Sequence, residues 1–298
     1  MIATFPHAPH KEGTVTAIRH RTIEIDGLEV FYRESGTPGR RPLLLLHGFP
    51  SSSHMYRHLL DDLSDEFHCV APDLPGFGLT ESPPRDRFAY TFDRLAEVTE
   101  AFTRAIGLGR FALYVFDFGA PVGMRLAAAH PDRVESLIVQ NGNIYEEGLA
   151  DSFAPLYAYW KDRVGHEETV RGILTAEVTR FQYTEGVRDP ELLAPESWTL
   201  DQHFLELPGR KEAMLDLFFD YRTNVERYPR WQAYLREHQP PTLVLWGRND
   251  PYFTAAGAEA FARDVPHAEI HLLDTGHFAL EDHGELVASE IRSFLARG

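Results

Sequence analysis

The sequence predicts an α/β fold in which helices cover both faces of a mostly parallel β-sheet. Short runs such as Leu43–Leu46 and Phe111–Phe116 are apolar at every position, as strands of a parallel sheet are when both faces are buried. Helical patterns separate these runs, and this alternation is typical of an α/β protein. The alternation stops after Asn141 and returns at Thr242, so we expect a helical cap to be inserted after the sixth strand.

The predicted sheet begins with two strands joined by a tight turn. Gly27 separates two alternating segments, Thr14–Ile25 and Leu28–Ser35, which predicts an antiparallel edge. The next predicted elements are the strand Leu43–Leu46, the helix Met55–Leu63, the strand Phe67–Pro72 and the helix Phe92–Ile106.

The second half of the core repeats the order of strand and helix. The strand Phe111–Phe116 leads into a helical pattern that ends at Ala129, and another strand is predicted at Val134–Gln140. After the insert come the strand Thr242–Trp246, the helix Ala256–Arg263, the strand Glu269–Leu273 and the helix Glu285–Ala296.

The segment between the two halves has the character of a separate unit. Residues 145–235 contain no strand-like run, and prolines and glycine punctuate a helical pattern. We predict a core domain formed by residues 1–144 and 236–298 and a helical cap domain formed by residues 145–235. Aromatic residues crowd the cap, where they line a pocket for apolar substrates or form the cap's own core: Phe153, Tyr157, Trp160, Phe181, Trp198, Phe204, Phe218 and Phe219.

The composition of the 298-residue chain argues against several kinds of partner. A formal net charge of −16 disfavours nucleic acid and anionic membrane surfaces. No apolar run approaches the length of a membrane span, and the first residues contain no hydrophobic signal core. Cys69 is the only cysteine, and there is no CxxC or HExxH pattern for a metal. We expect a cytoplasmic globular protein without a metal or other cofactor.

The turn after the strand Phe111–Phe116 carries an acid, Asp117, where the attacking side chain of a nucleophile elbow stands. Small residues, including Gly119 and Gly123, and a helical pattern follow it. Aspartate is also a favoured N-cap residue, so the turn alone leaves helix capping as an alternative.

Two further strand ends carry polar side chains that fit catalysis by a carboxylate. Asp250 follows the strand Thr242–Trp246, and His277 follows the strand Glu269–Leu273. Catalytic groups of open α/β sheets collect at this edge. A carboxylate nucleophile needs a base for the second half-reaction and an acid that orients the base. Asp117, Asp250 and His277 occur in the chain order of nucleophile, acid and histidine, which favours catalysis over capping.

With these motifs the chain resembles the α/β-hydrolase superfamily over nearly its whole length. The loop His47–Pro50 is similar to the HGxP loop of the branch that holds epoxide hydrolases and haloalkane and haloacid dehalogenases. Asp117–Gly119 is similar to the nucleophile motif of that branch, and Gly247–Asp250 and Gly276–His277 resemble its acid and base loops.

The resemblance implies an α/β-hydrolase fold and roles for residues around Asp117. The backbone N–H groups of Phe49 and Phe118 form the oxyanion hole in this interpretation, and residues 145–235 form the lid. One departure is Val115, where the serine enzymes usually have glycine, although members of the Asp branch commonly have a larger residue there.

An aspartate in place of serine indicates reaction at an sp³ carbon. A carboxylate that displaces an epoxide oxygen or a halide leaves an alkyl ester, and a water activated by His277 can hydrolyse this ester at the Asp117 carbonyl. A serine would leave an ether, which water does not cleave under these conditions. The sequence therefore predicts a hydrolase that uses a small apolar organic substrate and water.

The resemblance to epoxide hydrolases implies that tyrosines of the lid donate protons. An opening epoxide becomes an alkoxide, which needs the proton that a tyrosine O–H supplies. Tyr221 resembles the second lid tyrosine of these enzymes, and Tyr159 lies at about the separation that the family shows between the two. Tyr157 competes with Tyr159, and ordinary packing is the alternative for each. We expect epoxide hydrolysis to a vicinal diol.

A haloalkane or haloacid dehalogenase is the alternative. Trp160 beside Tyr159 resembles part of the His-Trp pair that holds the halide in fluoroacetate-type dehalogenases. Against this alternative, Phe118 and Phe49 stand where haloalkane dehalogenases usually have tryptophan and often asparagine. The arginine that grips a haloacid next to the nucleophile is also missing, and Arg125 is a weak substitute.

A non-hydrolytic function is the second alternative. The same fold serves ligand receptors and luciferase-like oxygenases, and fold alone does not fix function. A receptor would bind ligand without turnover, and an oxygenase would consume O₂. The complete set of nucleophile, acid and base favours an enzyme.

Overall fold

The computed structural model describes residues 17–297, which contain one eight-stranded sheet. The strands are β1 (Arg19–Ile25), β2 (Leu28–Ser35), β3 (Arg41–Leu46), β4 (Phe67–Pro72), β5 (Phe111–Phe116), β6 (Val134–Gln140), β7 (Thr242–Gly247) and β8 (Glu269–Leu273). Their order across the sheet is β1-β2-β4-β3-β5-β6-β7-β8. β2 pairs antiparallel with β1 and β4, and the other neighbours pair in parallel. The predicted α/β fold is confirmed, although the start of the predicted segment Thr14–Ile25 lies outside the described residues.

Helices cover both faces of this sheet because its central strands are apolar on both sides. Leu44 and Leu46 belong to a buried cluster that includes residues of the second and third helices, whereas Leu43 and Leu45 belong to a cluster with the first and last helices. The helices are α1 (Arg57–Asp62), α2 (Phe92–Ala105), α3 (Gly119–Ala129), α4 (Ala154–Lys161), α5 (Arg163–Arg171), α6 (Ala176–Thr184), α7 (Glu196–Leu205), α8 (Arg210–Asp220), α9 (Arg222–His238), α10 (Ala255–Asp264) and α11 (Leu280–Leu295).

Local sequence signals set the ends of α2. The Thr91 hydroxyl accepts a hydrogen bond from the Arg94 N–H at 3.2 Å, which caps the start of the helix. Gly107, with φ +75°, follows the last turn, as glycine commonly does after a helix. The structure therefore ends α2 one residue before the predicted limit.

Two predicted helices have different starts in the structure. The predicted helix Met55–Leu63 divides into a 3₁₀ turn, Ser53–Tyr56, and the shorter α1. The last helix, α11, begins before Glu285 because a first turn joins it through a kink at His283, where φ is −120°. These differences leave the edge of the sheet that carries the candidate site unchanged.

Helices α4 to α9 lie between β6 and β7, and we call residues 145–238 the helical insert. The insert reaches three residues past the predicted boundary at 235 because α9 continues to His238. The division into a core domain and a cap domain stays a prediction. Within residues 17–297, no helix is long and apolar enough to cross a membrane, and no group of three or more His, Cys, Asp or Glu side chains could hold a metal ion.

Candidate active site

Asp117 stands on a sharp turn between β5 and α3. Its φ is +45°, a left-handed value that few non-glycine residues adopt. Glycine is needed at 119, because a Cβ there would lie 2.1 Å from the Leu46 carbonyl oxygen. The Asp117 side chain does not cap α3, since the cap residue is Phe118 and no side chain accepts from the first turn. The structure therefore does not support helix capping.

The carboxylate of Asp117 is held by backbone N–H groups of two loops. The Phe49 N–H donates to Asp117 Oδ1 at 2.5 Å, and the Phe118 N–H also interacts with the carboxylate and lowers its pKa. Gly48 permits this approach, because a Cβ at that position would lie 2.3 Å from Oδ1. The structure thus brings together Asp117 and the two N–H groups predicted as an oxyanion hole.

The pKa of the Asp117 carboxyl depends on its burial, since the side chain is only 7% exposed. Burial raises the pKa of Asp117 to about 6, against the lowering effects of His277 and of the N–H groups of Phe49 and Phe118. The carboxyl is therefore mostly ionised above pH 6. A desolvated carboxylate of this kind is a stronger nucleophile than one in water.

His277 lies between two carboxylates. Its Nδ1 is 2.7 Å from Asp250 Oδ2, and its Nε2 is 3.8 Å from Asp117 Oδ2. Burial lowers the pKa of His277, but the charges of Asp250 and Asp117 and the Asp250 hydrogen bond outweigh burial and raise it overall. The imidazole is oriented by one acid, and its other nitrogen is directed to the candidate nucleophile.

Backbone and side-chain donors hold Asp250 in place. Its Oδ1 accepts from the N–H groups of Tyr252 at 2.7 Å and Phe253 at 3.1 Å. Its Oδ2, which contacts His277, also accepts from Asn141 Nδ2 at 2.7 Å. Asp250 therefore presents a fixed, fully hydrogen-bonded carboxylate to the histidine.

Asn141 is a residue of the site that the sequence reasoning missed. It follows β6 with φ +42°, and its Oδ1 accepts from the Gly247 N–H at 3.0 Å while its Nδ2 donates to Asp250. An Asn-Gly pair at the end of a strand is a signal for left-handed backbone. That signal predicts the turn, but not the contact with the loop after β7.

A small, mostly apolar cavity of about 50 Å³ adjoins these residues. Of the aromatic residues predicted for a pocket, Phe153 and Phe218 line it, whereas Phe181 is 43% exposed on the surface of the insert. Among residues 17–297, no lysine or arginine lines the cavity. The lining residues are Phe49, Asp117, Phe118, Ser152, Phe153, Leu156, Ile173, Gln182, Phe218, Tyr221, Tyr252, Phe253 and His277.

Tyr221 is the predicted lid tyrosine that lines the cavity. It lies between α8 and α9, is 1% exposed, and packs against the rings of Phe118 and Phe153 at centroid distances of 5.8 and 5.6 Å. Its hydroxyl is 3.4 Å from that of Tyr228, which is itself 3.4 Å from Asn143 Nδ2. Burial raises the pKa of Tyr221 well above its ordinary value, so the hydroxyl keeps its proton at neutral pH.

The structure does not bring the other predicted lid residues to the cavity wall. The Tyr159 hydroxyl donates to the Leu215 carbonyl at 3.3 Å, on a side chain that is fully buried. The Trp160 N–H donates to the Phe218 carbonyl at 2.8 Å, and its ring stacks behind Tyr221 at 6.2 Å. Tyr157 is 40% exposed and packs edge-on against Trp160.

Several cavity residues were missed by the sequence reasoning. Gln182, in α6, is 3% exposed, and its Nε2 has no hydrogen-bond partner among residues 17–297. Tyr252 and Phe253 follow Asp250 and pack against the His277 ring at 5.7 and 5.9 Å. Their place beside the candidate acid was a usable signal, whereas nothing marks Gln182 in the sequence.

Comparison with known proteins assigns this chain to a family. A family model described as the alpha/beta hydrolase fold matches residues 41–284, so the chain belongs to the α/β-hydrolase family. It is 44% identical to the uncharacterized hydrolase YNR064C of Saccharomyces cerevisiae, over 93% of this chain and 97% of that protein.

Two further similarities indicate the branch of the family. A haloalkane dehalogenase of Psychrobacter cryohalolentis is 28% identical over 90% of this chain and 88% of its own length. The crystal structure of the epoxide hydrolase VrEH1 from Vigna radiata superposes with a TM-score of 0.74 at 25% identity, covering 94% of this chain and 98% of that one. The chain is thus a hydrolase of the branch that contains epoxide hydrolases and dehalogenases.

Proposed function

We propose that this hydrolase opens epoxides to vicinal diols through an ester formed on Asp117. The observation that carries the proposal is that Asp117 and Tyr221 line the same small, mostly apolar cavity. A carboxylate can attack an epoxide carbon, and a phenol can protonate the oxygen that leaves. Each half of the ring-opening step therefore has its group in the cavity.

In the first step, Asp117 Oδ2 attacks an epoxide carbon. Oδ1 is engaged by the Phe49 N–H, so Oδ2, on the side of His277, is the free oxygen. A new C–O bond forms as the ring C–O bond breaks, and the ring oxygen takes the proton of Tyr221. Because Tyr228 accepts from Asn143 Nδ2, its own proton can be donated to the Tyr221 oxygen.

In the second step, water hydrolyses the ester. A water between His277 Nε2 and Asp117 gives a proton to the imidazole and adds its oxygen to the carboxyl carbon. The N–H groups of Phe49 and Phe118 stabilise the negative charge that develops on Oδ1. The bond from Oδ2 to the carboxyl carbon then breaks while the imidazolium gives its proton to the departing oxygen, so one oxygen of the first diol released comes from Asp117. The new carboxyl group loses the second proton of the water, and the Tyr221 phenolate takes up one proton, which restores both groups.

The contacts of the insert favour an epoxide over a halide. The Trp160 N–H, the candidate halide donor, is already bonded to the Phe218 carbonyl. The side chains of Phe49 and Phe118 carry no donor. A haloacid would also lack an arginine or lysine partner for its carboxylate, because neither residue type lines the cavity among residues 17–297 and the Arg125 guanidinium is bound by Asp93 and Asn224.

The test is intact-protein mass spectrometry of His277→Ala after incubation with epoxides and haloalkanes. Loss of the base stalls hydrolysis, so we expect an adduct of the whole epoxide mass that maps to Asp117. An adduct equal to a haloalkane minus hydrogen halide would favour a dehalogenase instead. His267→Ala, a change of an exposed histidine, is the control that should turn over and carry no adduct. A folded His277→Ala protein without any adduct contradicts the proposal and favours a receptor or an oxygenase.

A further inference from the structure

Gln182 places an unpaired hydrogen-bond donor in the wall of the catalytic cavity. The side chain lines the cavity with Asp117 and His277, is 3% exposed, and has no partner for Nε2 among the described residues. Buried N–H groups in native proteins nearly always have a partner, because a buried donor without one is unfavourable. In the wall of a binding cavity, the missing partner is most simply an acceptor on the ligand.

The C-terminal end of α6 is fixed against the loop that carries His277. The Tyr183 ring, next to Gln182, stacks on Phe278 at a centroid distance of 3.8 Å and an angle of 7°. Contact continues at Gly276, where a Cβ would lie 2.0 Å from the Glu185 carbonyl oxygen. The backbone at Gln182 is therefore held beside the base loop by the close packing of its neighbours.

Gln182 and Tyr221 are anchored to different parts of the core. Tyr221 packs against Phe118, next to the nucleophile, whereas the neighbour of Gln182 packs against Phe278, next to the base. If Tyr221 serves the oxygen of the opening ring, the amide of Gln182 is available to a second acceptor on the same substrate.

We propose that Gln182 donates a hydrogen bond to a second, uncharged oxygen of the substrate. This inference rests on the proposed function and gives its substrate class: a small epoxide with an ether oxygen beside the ring, as in a glycidyl ether. The acceptor is uncharged because the described part of the chain places no lysine or arginine in the cavity wall and the Asp117 carboxylate repels an anion. The substrate is small because the cavity is about 50 Å³.

The experiment compares two epoxides of matched size, glycidyl methyl ether and 1,2-epoxypentane, in which a methylene replaces the ether oxygen. kcat/KM is measured for both with the wild-type protein, Gln182→Met and Gln232→Met. Methionine keeps the length of glutamine without its amide. Gln232 is the matched control, because its amide already donates to the Ile144 carbonyl at 2.9 Å and it does not line the cavity.

We expect Gln182→Met to lower kcat/KM for the glycidyl ether about 2- to 13-fold, the factor that one hydrogen bond typically supplies. The value for 1,2-epoxypentane should change less than about twofold, and Gln232→Met should leave the ratio of the two substrates unchanged. A purely structural role would lower both substrates together. An unchanged ratio in Gln182→Met, with both epoxides still turned over, overturns the inference and leaves the proposed function standing. If the wild-type protein opens neither epoxide, the proposed function fails and this inference fails with it.

Discussion

Removal of the Tyr221 hydroxyl tests the proton donor directly when ester hydrolysis is blocked. In His277→Ala the ester accumulates, so the rate at which the adduct appears reports the first step alone. We expect the added change Tyr221→Phe to slow formation of the epoxide adduct strongly. The same change should leave adduct formation from a haloalkane within about threefold, because a halide leaves without a proton.

The magnitude follows from the surroundings of the hydroxyl. Without the Tyr221 hydroxyl, the alkoxide forms without its proposed proton donor in a mostly apolar cavity, next to the ring that packs on Phe118. A hydrogen bond to a charged group contributes about 1.5–3 kcal/mol, which is roughly 10- to 150-fold in rate. Proton transfer in the transition state extends the expected loss to about 10²–10⁴-fold.

The assay is a time course of intact mass with excess epoxide, and Tyr228→Phe in the same background is the matched comparison. Tyr228→Phe should slow adduct formation less than Tyr221→Phe does, because it removes only the hydrogen bond to the Tyr221 oxygen. Both changes delete one buried phenol oxygen from the same pair, but only Tyr221 lines the cavity. The contact between the two hydroxyls, at 3.4 Å, is longer than a normal O–H···O bond, so neither change should shift the melting temperature by more than about 4 °C. Equal adduct rates with and without the Tyr221 hydroxyl, in folded proteins, would refute its role as proton donor.

Three further predictions concern the nucleophile and its supports. Asp117→Asn should abolish ester formation yet raise the free energy of unfolding at pH 8 by up to about 3 kcal/mol. The pKa of Asp117 in the folded protein, about 6, exceeds the ordinary value of 3.8 by about 2.2, and each unit of pKa difference is worth 1.36 kcal/mol. Because burial disfavours the ionised form, this gain in stability should vanish near pH 4, and chemical denaturation at the two pH values measures it. For the same reason, kcat/KM of the wild-type protein should fall about tenfold per pH unit below pH 6. Asn141→Gly keeps the left-handed backbone but removes the amide that holds the candidate acid, so ester hydrolysis should slow at least about tenfold and the ester should accumulate in the steady state. Asp26→Gly, at an exposed left-handed position, should change neither the rate of ester formation nor the rate of ester hydrolysis. Gly48→Ala places a Cβ 2.3 Å from Asp117 Oδ1 and should abolish turnover, whereas Gly109→Ala, with open space around its Cβ, should remain active. An active, folded Gly48→Ala protein would contradict the proposed oxyanion geometry.

The sheet and the three polar strand ends could be predicted because they follow from local pattern. Strands that are buried on both faces read as apolar runs, and parallel strands end at one edge of the sheet. Asp117, Asp250 and His277 each follow such a run, and the structure places the His277 ring 2.7 Å from Asp250 and 3.8 Å from Asp117. For this part of the site, sequence order and strand pattern carry the three-dimensional information.

The wall contributed by the insert could not be predicted in the same way. In α4, Leu156 to Trp160 are all apolar or aromatic, and successive side chains in a helix point about 100° apart. Such a segment has no polar face that would fix its rotation, so the sequence does not tell which side chain reaches the cavity. Leu156 lines it, whereas Tyr159 bonds to the backbone of α8.

Asn141 and Gln182 were missed for a related reason, because their contacts join segments far apart in the chain. Asn141 links the end of β6 to the loop after β7, and the helical insert separates the two. Gln182 reaches the cavity only because α6 packs on the loop of His277. Neither contact leaves a periodic pattern in the sequence.

The two parts of the site have separable chemical tasks. In the proposed mechanism, the sheet and its loops supply the carboxylate, the base, the acid and both N–H donors, which are the groups needed to form and hydrolyse an alkyl ester. The insert supplies Tyr221 and Gln182, to which we assign protonation of the leaving oxygen and binding of the substituent. Because one core can serve several leaving groups, substitutions confined to the insert should change the preferred substrate while the rate of ester hydrolysis stays that of the core. For that reason the rate of adduct formation in His277→Ala, rather than steady-state turnover, is the quantity that separates an epoxide hydrolase from a dehalogenase on this fold.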